Sequence, residues 1–109
     1  MSGSGSSGGF GSGGSGGQSI DCSNFSFETH IHSPVQDEVD KLSMGDILSV
    51  ELAFIGAIEV VQILNNGNVV GGIVDRGPSL KQCLRDGFEF QAIVRSISGA
   101  AVKIFVQSV

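Results

Sequence analysis

The stretch IEVVQILNNGNVVGGIVDRGPSLKQCLRDGFEFQAIVRSISGAAVKIFV (Ile58–Val106) decides the fold. It reads as strand, Asn-Gly turn, strand, short helix, strand, Ser-Gly turn, strand. Ile58–Leu64 is apolar on both faces apart from Glu59 and Gln62, the pattern of a central or covered strand. Asn65-Asn66-Gly67-Asn68 supplies the Asn-Gly pair of a type I′ hairpin, whose two central residues need positive φ. Val69–Val74 returns as the partner strand, and Gly71-Gly72 in its middle marks a bulge, a sharp bend or a close backbone approach. Asp75-Arg76-Gly77-Pro78 turns the chain into a helix over Ser79–Asp86. Leu80, Cys83 and Leu84 share one face of it, and Gly87 provides the stop. Phe88–Ile97 and Ala101–Val106 alternate as the last two strands around Ser98-Gly99.

Upstream, Phe25, Phe27, Thr29 and Ile31 alternate with Ser26, Glu28, His30 and His32, which predicts a half-buried strand over Asn24–His32. Ser33-Pro34-Val35-Gln36 has the composition of a helix start, with Ser33 as cap and Pro34 at the first helical position. Val35, Val39 and Leu42 then fall at i, i+4 and i+7, one apolar stripe of a short helix of two turns at most, ended by Met44-Gly45. Ile47–Phe54 alternates again until Gly56 breaks or kinks the run. About six strands with two short helices predict a mainly β (β-rich α+β) domain, a small curled sheet or an OB-like β-barrel.

The first seventeen residues are Gly and Ser apart from Met1 and Phe10. Such a tract has nothing to bury and loses the most entropy on ordering, so residues 1–19 are expected to be a disordered tail, either a native linker or an expression remnant. Residues 20–109 then form one domain with one modest core. No apolar run is long enough to span a bilayer, and no basic-then-apolar leader is visible, so the expectation is a soluble, cytoplasmic protein. Cys22 and Cys83 lack C-x-x-C spacing and read as half-buried free thiols in a reducing compartment, a Cys22–Cys83 bridge being the alternative. The formal charge is −5, with acids dominating up to Asp75 and bases from Arg76 onward. That asymmetry makes either a two-faced surface or intramolecular complementarity.

Catalysis needs a reactive group and something to activate it. Glu28-x-His30-x-His32 presents three potential metal ligands at strand spacing, but no distant fourth ligand accompanies them, and the expected reading is a solvated strand face without a cofactor. Cys83 lies on an apolar helix stripe, where a thiolate is penalised, and Cys22 has Asp21 beside it. Gly71-Gly72 sits in a strand without a phosphate-loop pattern. No catalytic residue is therefore assigned, and an enzyme is not expected. For a ligand or nucleic acid, the candidates are Arg76, Lys81, Arg85, Arg95 and Lys103 for phosphates, with Phe105 as a stacking platform or packed under a helix. For a protein partner, Val61 and Ile63 with Ile93 and Phe105 form a possible apolar patch, unless the helices bury it.

Gly56-Ala57-Ile58-Glu59-Val60, then Asn66-Gly67-Asn68-Val69-Val70-Gly71-Gly72-Ile73, then Leu80, Leu84, Gly87, Phe90, Ala92 and Val94 resemble the HIRAN domain over about half of the chain. The resemblance implies an OB-like barrel and, as in some members, binding of single-stranded DNA ends. The chain departs from the family's D-P-x-A pattern at Phe54-Ile55-Gly56-Ala57, and Gly72 stands where an aromatic residue often follows the V-G glycine. The other placement is a small bacterial β-barrel family. The expected function is a non-catalytic binding or adaptor module acting through a protein partner, with HIRAN-like single-stranded nucleic-acid binding as the alternative. A monomer or weak homodimer with no membrane contact is expected, since a sheet left open offers an edge to its own copy.

Overall fold

Period-two patterning dominates residues 20–109, which are the residues the computed structural model describes; the tail expected over 1–19 lies outside them. The strands are β1 (Ser26–His30), β2 (Ile47–Ile55), β3 (Ile58–Asn65), β4 (Asn68–Ile73), β5 (Phe90–Ser98) and β6 (Ala101–Ser108). Helix α1 (Gln36–Val39) follows β1, and α2 (Gly77–Arg85) joins β4 to β5. All six strands make one antiparallel sheet in the order β1-β6-β5-β2-β3-β4. The inward residues of every strand, including Phe27, Leu48, Ile63, Val70, Val94 and Ile104, form one core, and α2 adds Leu80 and Cys83 to it.

The sheet curls without closing. Beyond β1 the chain crosses to the far edge, where His32 N–H donates to Gly72 C=O at 2.8 Å and Gly72 N–H returns the bond at 2.9 Å. Val35 N–H then donates to Val70 C=O at 2.8 Å. These bonds stitch the β1 extension to β4 at one end only. The curl comes from a bulge at Val70: Ile63 opposes Gly71 while Leu64 opposes Val69, which leaves Val70 as the extra residue. Gly71 permits the close approach. A Cβ there would collide with Ile31 Cγ2 and lie 2.9 Å from the His32 carbonyl oxygen.

The turns follow local chemistry. Asn66 (φ 52°) and Gly67 (φ 85°) are both left-handed, as a type I′ hairpin requires. Helix α2 ends in a Schellman arrangement. Phe88 N–H donates to Cys83 C=O, Gly87 N–H donates to Leu84 C=O, and Gly87 takes φ 95°.

Three expectations are corrected. Helix α1 is a single turn, within the two turns expected, but starts at Gln36 with Val35 as its cap residue. Ser33 does not cap it but takes a left-handed φ of 49°, because His32 and Val35 are committed to β4 and must leave the helical path. Val39 and Leu42 are buried while Val35 is exposed. Second, Cys22 and Cys83 are not free thiols. They form a disulfide with Cα atoms 5.5 Å apart, tying the 3-10 turn Cys22–Asn24 to α2. The helical period that puts Cys83 on the buried stripe also aims it at the segment entering β1. Third, Val61 and Ile63 face the core whereas Ile93 and Phe105 are half-buried on the outer face, so the four make no common patch. Among the described residues, no helix is long and apolar enough to cross a membrane.

Candidate binding surfaces

Strand alternation that fills the core also sets out the opposite face of the sheet. Register aligns Ile47, Ile93, Phe105 and Glu28 in one row across β2, β5, β6 and β1. A second bulge shapes the neighbouring row. Val94 opposes Ile104 and Ser96 opposes Lys103, so Arg95 is the inserted residue beside Lys103. The Arg95 guanidinium lies 5.0 Å from the Phe105 ring centroid, within cation–π range. Lys103 in turn opposes His30. Helix α2 packs over β2 and β3 and joins the core, so it lies on the other side and leaves Phe105 half-buried beside these cations.

The other three predicted cations are elsewhere. Arg76 takes a left-handed φ of 57° before α2, with its guanidinium 6.0 Å from the Phe27 ring centroid. Arg85 is paired with Glu59, an ion pair that joins the acidic and basic halves of the chain. Lys81 lines a groove described below and forms no ion pair among the described residues. The structure thus brings together Arg95, Lys103 and Phe105, and separates them from Arg76, Lys81 and Arg85. Lys41–Glu38 is the second ion pair among the described residues and lies within one helical turn.

Glu28 and His30 point outward from β1, and His32 is exposed beyond its end. Among the described residues, no group of three or more His, Cys, Asp or Glu side chains is placed to hold a metal ion. One titration is shifted: Asp21, fully exposed, accepts hydrogen bonds from Ser23 Oγ (2.7 Å) and Asn24 Nδ2 (2.8 Å), which hold its carboxyl below the ordinary Asp value of 3.8.

A larger surface was not assigned from the sequence. Strand β2 pairs with β5 only over Ile47–Val50, and β3 pairs with β4 only from Val61 onward. Beyond both flanking strands, Ala53–Ile55 and Ile58–Val60 pair only with each other, forming a short two-stranded ribbon that turns at Gly56 (φ 62°). At its tip Phe54, Ile55 and Ile58 are 69, 63 and 69% exposed. A groove of about 420 Å³ runs from this tip along β4. Ile55, Ile58, Val69, Val74 and Val35 line it, and all are exposed. His32, Ser33, Glu59, Gln62 and Lys81 supply its polar groups. Of the three non-glycine residues with left-handed backbone among the described residues, Asn66 belongs to a hairpin turn, whereas Ser33 lines this groove and Arg76 immediately precedes Gly77, which also lines it. The signal for the surface was the apolar run Phe54-Ile55-Gly56-Ala57-Ile58; alternation alone did not tell that its strands outrun their neighbours.

Comparison with family models, curated proteins and solved structures finds no match. The functional reading rests on these two surfaces.

Proposed function

We propose that the domain is a non-catalytic binding or adaptor module that engages a protein partner through the ribbon tip and its adjoining groove. One observation carries this reading: large apolar side chains at the tip stand in water beside a groove lined by further exposed apolar residues. Isolated surface hydrophobes need no explanation, but a contiguous apolar patch with a polar rim is the mark of an interaction site. The test is affinity capture from the native host with the wild-type chain and with Ile58→Asp as baits. A partner retained by the wild type and lost by the variant supports the reading; equal recovery by both baits overturns it.

The second reading, HIRAN-like binding of single-stranded nucleic acid, draws support from Arg95, Phe105 and Lys103 on the open sheet face. A ring that stacks bases beside cations that meet phosphates is the chemistry such binding uses. Fluorescence anisotropy with a single-stranded oligonucleotide at low salt tests it. Binding that weakens with salt and with Phe105→Ala supports the reading, and no binding at tens of micromolar protein removes it.

The Cys22–Cys83 bridge favours a setting other than the cytoplasm expected from the sequence. Because such bridges persist where thiols are kept oxidised, we place the folded domain in an oxidising environment. Thiol labelling of the protein in its host, before and after reduction, checks this: labelling without reduction would return it to a reducing compartment.

A further inference from the structure

We infer that the partner seated on the ribbon and groove is a second copy of this chain, in a two-fold dimer; this rests on the protein-binding reading above. The ribbon itself asks for cover. A two-stranded hairpin is marginally stable alone in water, yet this one continues beyond both flanking strands with Phe54, Ile55 and Ile58 exposed.

The available area matches what a dimer needs. Ile55 and Ile58 with the groove residues Val35, Val69 and Val74 leave on the order of 450 Å² of apolar surface uncovered on one face. Contributed by two copies, each with its polar rim, that area reaches the roughly 1,000 Å² in total that a biological interface must clear.

The arrangement also closes on itself. Ile55 and Ile58 belong both to the ribbon tip and to the groove wall, so arm and groove are contiguous on one molecule. When the arm of one copy lies along the groove of the other, a two-fold axis returns the second arm to the first groove. Both apolar surfaces are then buried in one closed, isologous interface with no open end to extend. Charge does not forbid it at this site. Glu59, the acid in the groove, is already paired with Arg85, so the net charge of −5 acts as a diffuse repulsion that salt screens.

Sedimentation equilibrium of the full chain between 1 and 200 µM, at low and at moderate salt, tests the inference. The expected result is a monomer–dimer equilibrium that tightens as salt rises, with Ile58→Asp and Ile55→Asp each weakening association at least tenfold while the β-sheet circular dichroism is retained. A strict monomer at 200 µM overturns the inference. So does a dimer that both variants leave intact, since the copies would then meet elsewhere, as at the β1 edge. The two variants differ in strand, so one that fails to fold leaves the other to decide. A monomeric wild type that still captures a different protein in an Ile58-dependent manner refutes the second copy while sustaining the protein-binding reading. Failure of both experiments refutes both.

Discussion

Reducing the Cys22–Cys83 disulfide is the perturbation whose size is best set by the structure. The bridge joins residues 61 apart in sequence, closing most of the domain into one loop. Restricting an unfolded chain by a loop of that length is worth about 4 kcal/mol in the chain-entropy account. A domain of this size holds only about 5–13 kcal/mol in total, so reduction removes a large fraction of its stability. Little in the folded state offsets the loss. Cys83 is fully buried and Cys22 nearly so; as thiols they stay in the same apolar surroundings and gain no partner. The turn before β1 would keep its short-range bonds, Asn24 N–H to Asp21 C=O at 3.1 Å and Phe25 N–H to Cys22 C=O at 3.4 Å, while Phe25 still packs against Phe27 and Phe90. The native fold should therefore survive reduction but unfold far more easily. Urea titrations of oxidised and reduced protein, followed by far-UV circular dichroism, should differ by about 4 kcal/mol, with a fall in melting temperature of roughly 15–30 °C. A difference below about 1 kcal/mol would refute the reasoning, because the loop-entropy argument leaves no room for so small a value.

Other perturbations have specific outcomes. Gly71→Ala forces a methyl group into Ile31 and against the His32 carbonyl, and should cost about 1–3 kcal/mol in urea denaturation, whereas Gly77→Ala, where a Cβ meets nothing within 4 Å, should cost much less. Thr29 is buried and its Oγ1 donates to Asp75 Oδ2 at 2.7 Å, so Thr29→Val should destabilise by about 1–2 kcal/mol in the same assay. Asp21 should titrate below the ordinary Asp value by NMR, and Ser23→Ala with Asn24→Ala should move it back up. Since its folded value is the depressed one, its small contribution to stability is present above the unfolded Asp value and disappears as pH falls through the folded one. Removing the half-buried ring with Phe105→Ala loses the Arg95 cation–π contact and packing beside Ile93, and should cost about 1–3 kcal/mol in urea denaturation.

Much of the architecture was legible in the chain because its signals are local. Alternation placed Phe27 and Thr29 inward on β1, with Phe25 and Ile31 inward on either side of it, and the Asn66-Gly67 pair specified its turn through the two positive φ values it tolerates well. Gly87 stopped α2 where the Schellman bonds form. Errors arose where a distant partner overrode a local preference. Ser33-Pro34 carries a helix-start composition, yet the pairing of His32 and Val35 with β4 pulls the segment along an edge and delays the helix to Gln36. Composition could not pair Cys22 with Cys83, because nothing in their spacing says that α2 folds back over the entry to β1.

Of the candidate sites, the cluster of Arg95, Lys103 and Phe105 was recoverable in kind but not in membership. Strand parity puts Lys103 and Phe105 outward, while the bulge that sets Arg95 beside them is a property of the β5–β6 register. Arg76, Lys81 and Arg85 follow them in composition only. The strands, the tight turns and the inward faces were determined by the sequence itself, since backbone sterics and side-chain period act within a few residues. Which strands outrun their neighbours, where the sheet curls and which cysteines meet were decided by tertiary structure. Those features are relations between segments far apart in the chain, settled only when the core closes around them.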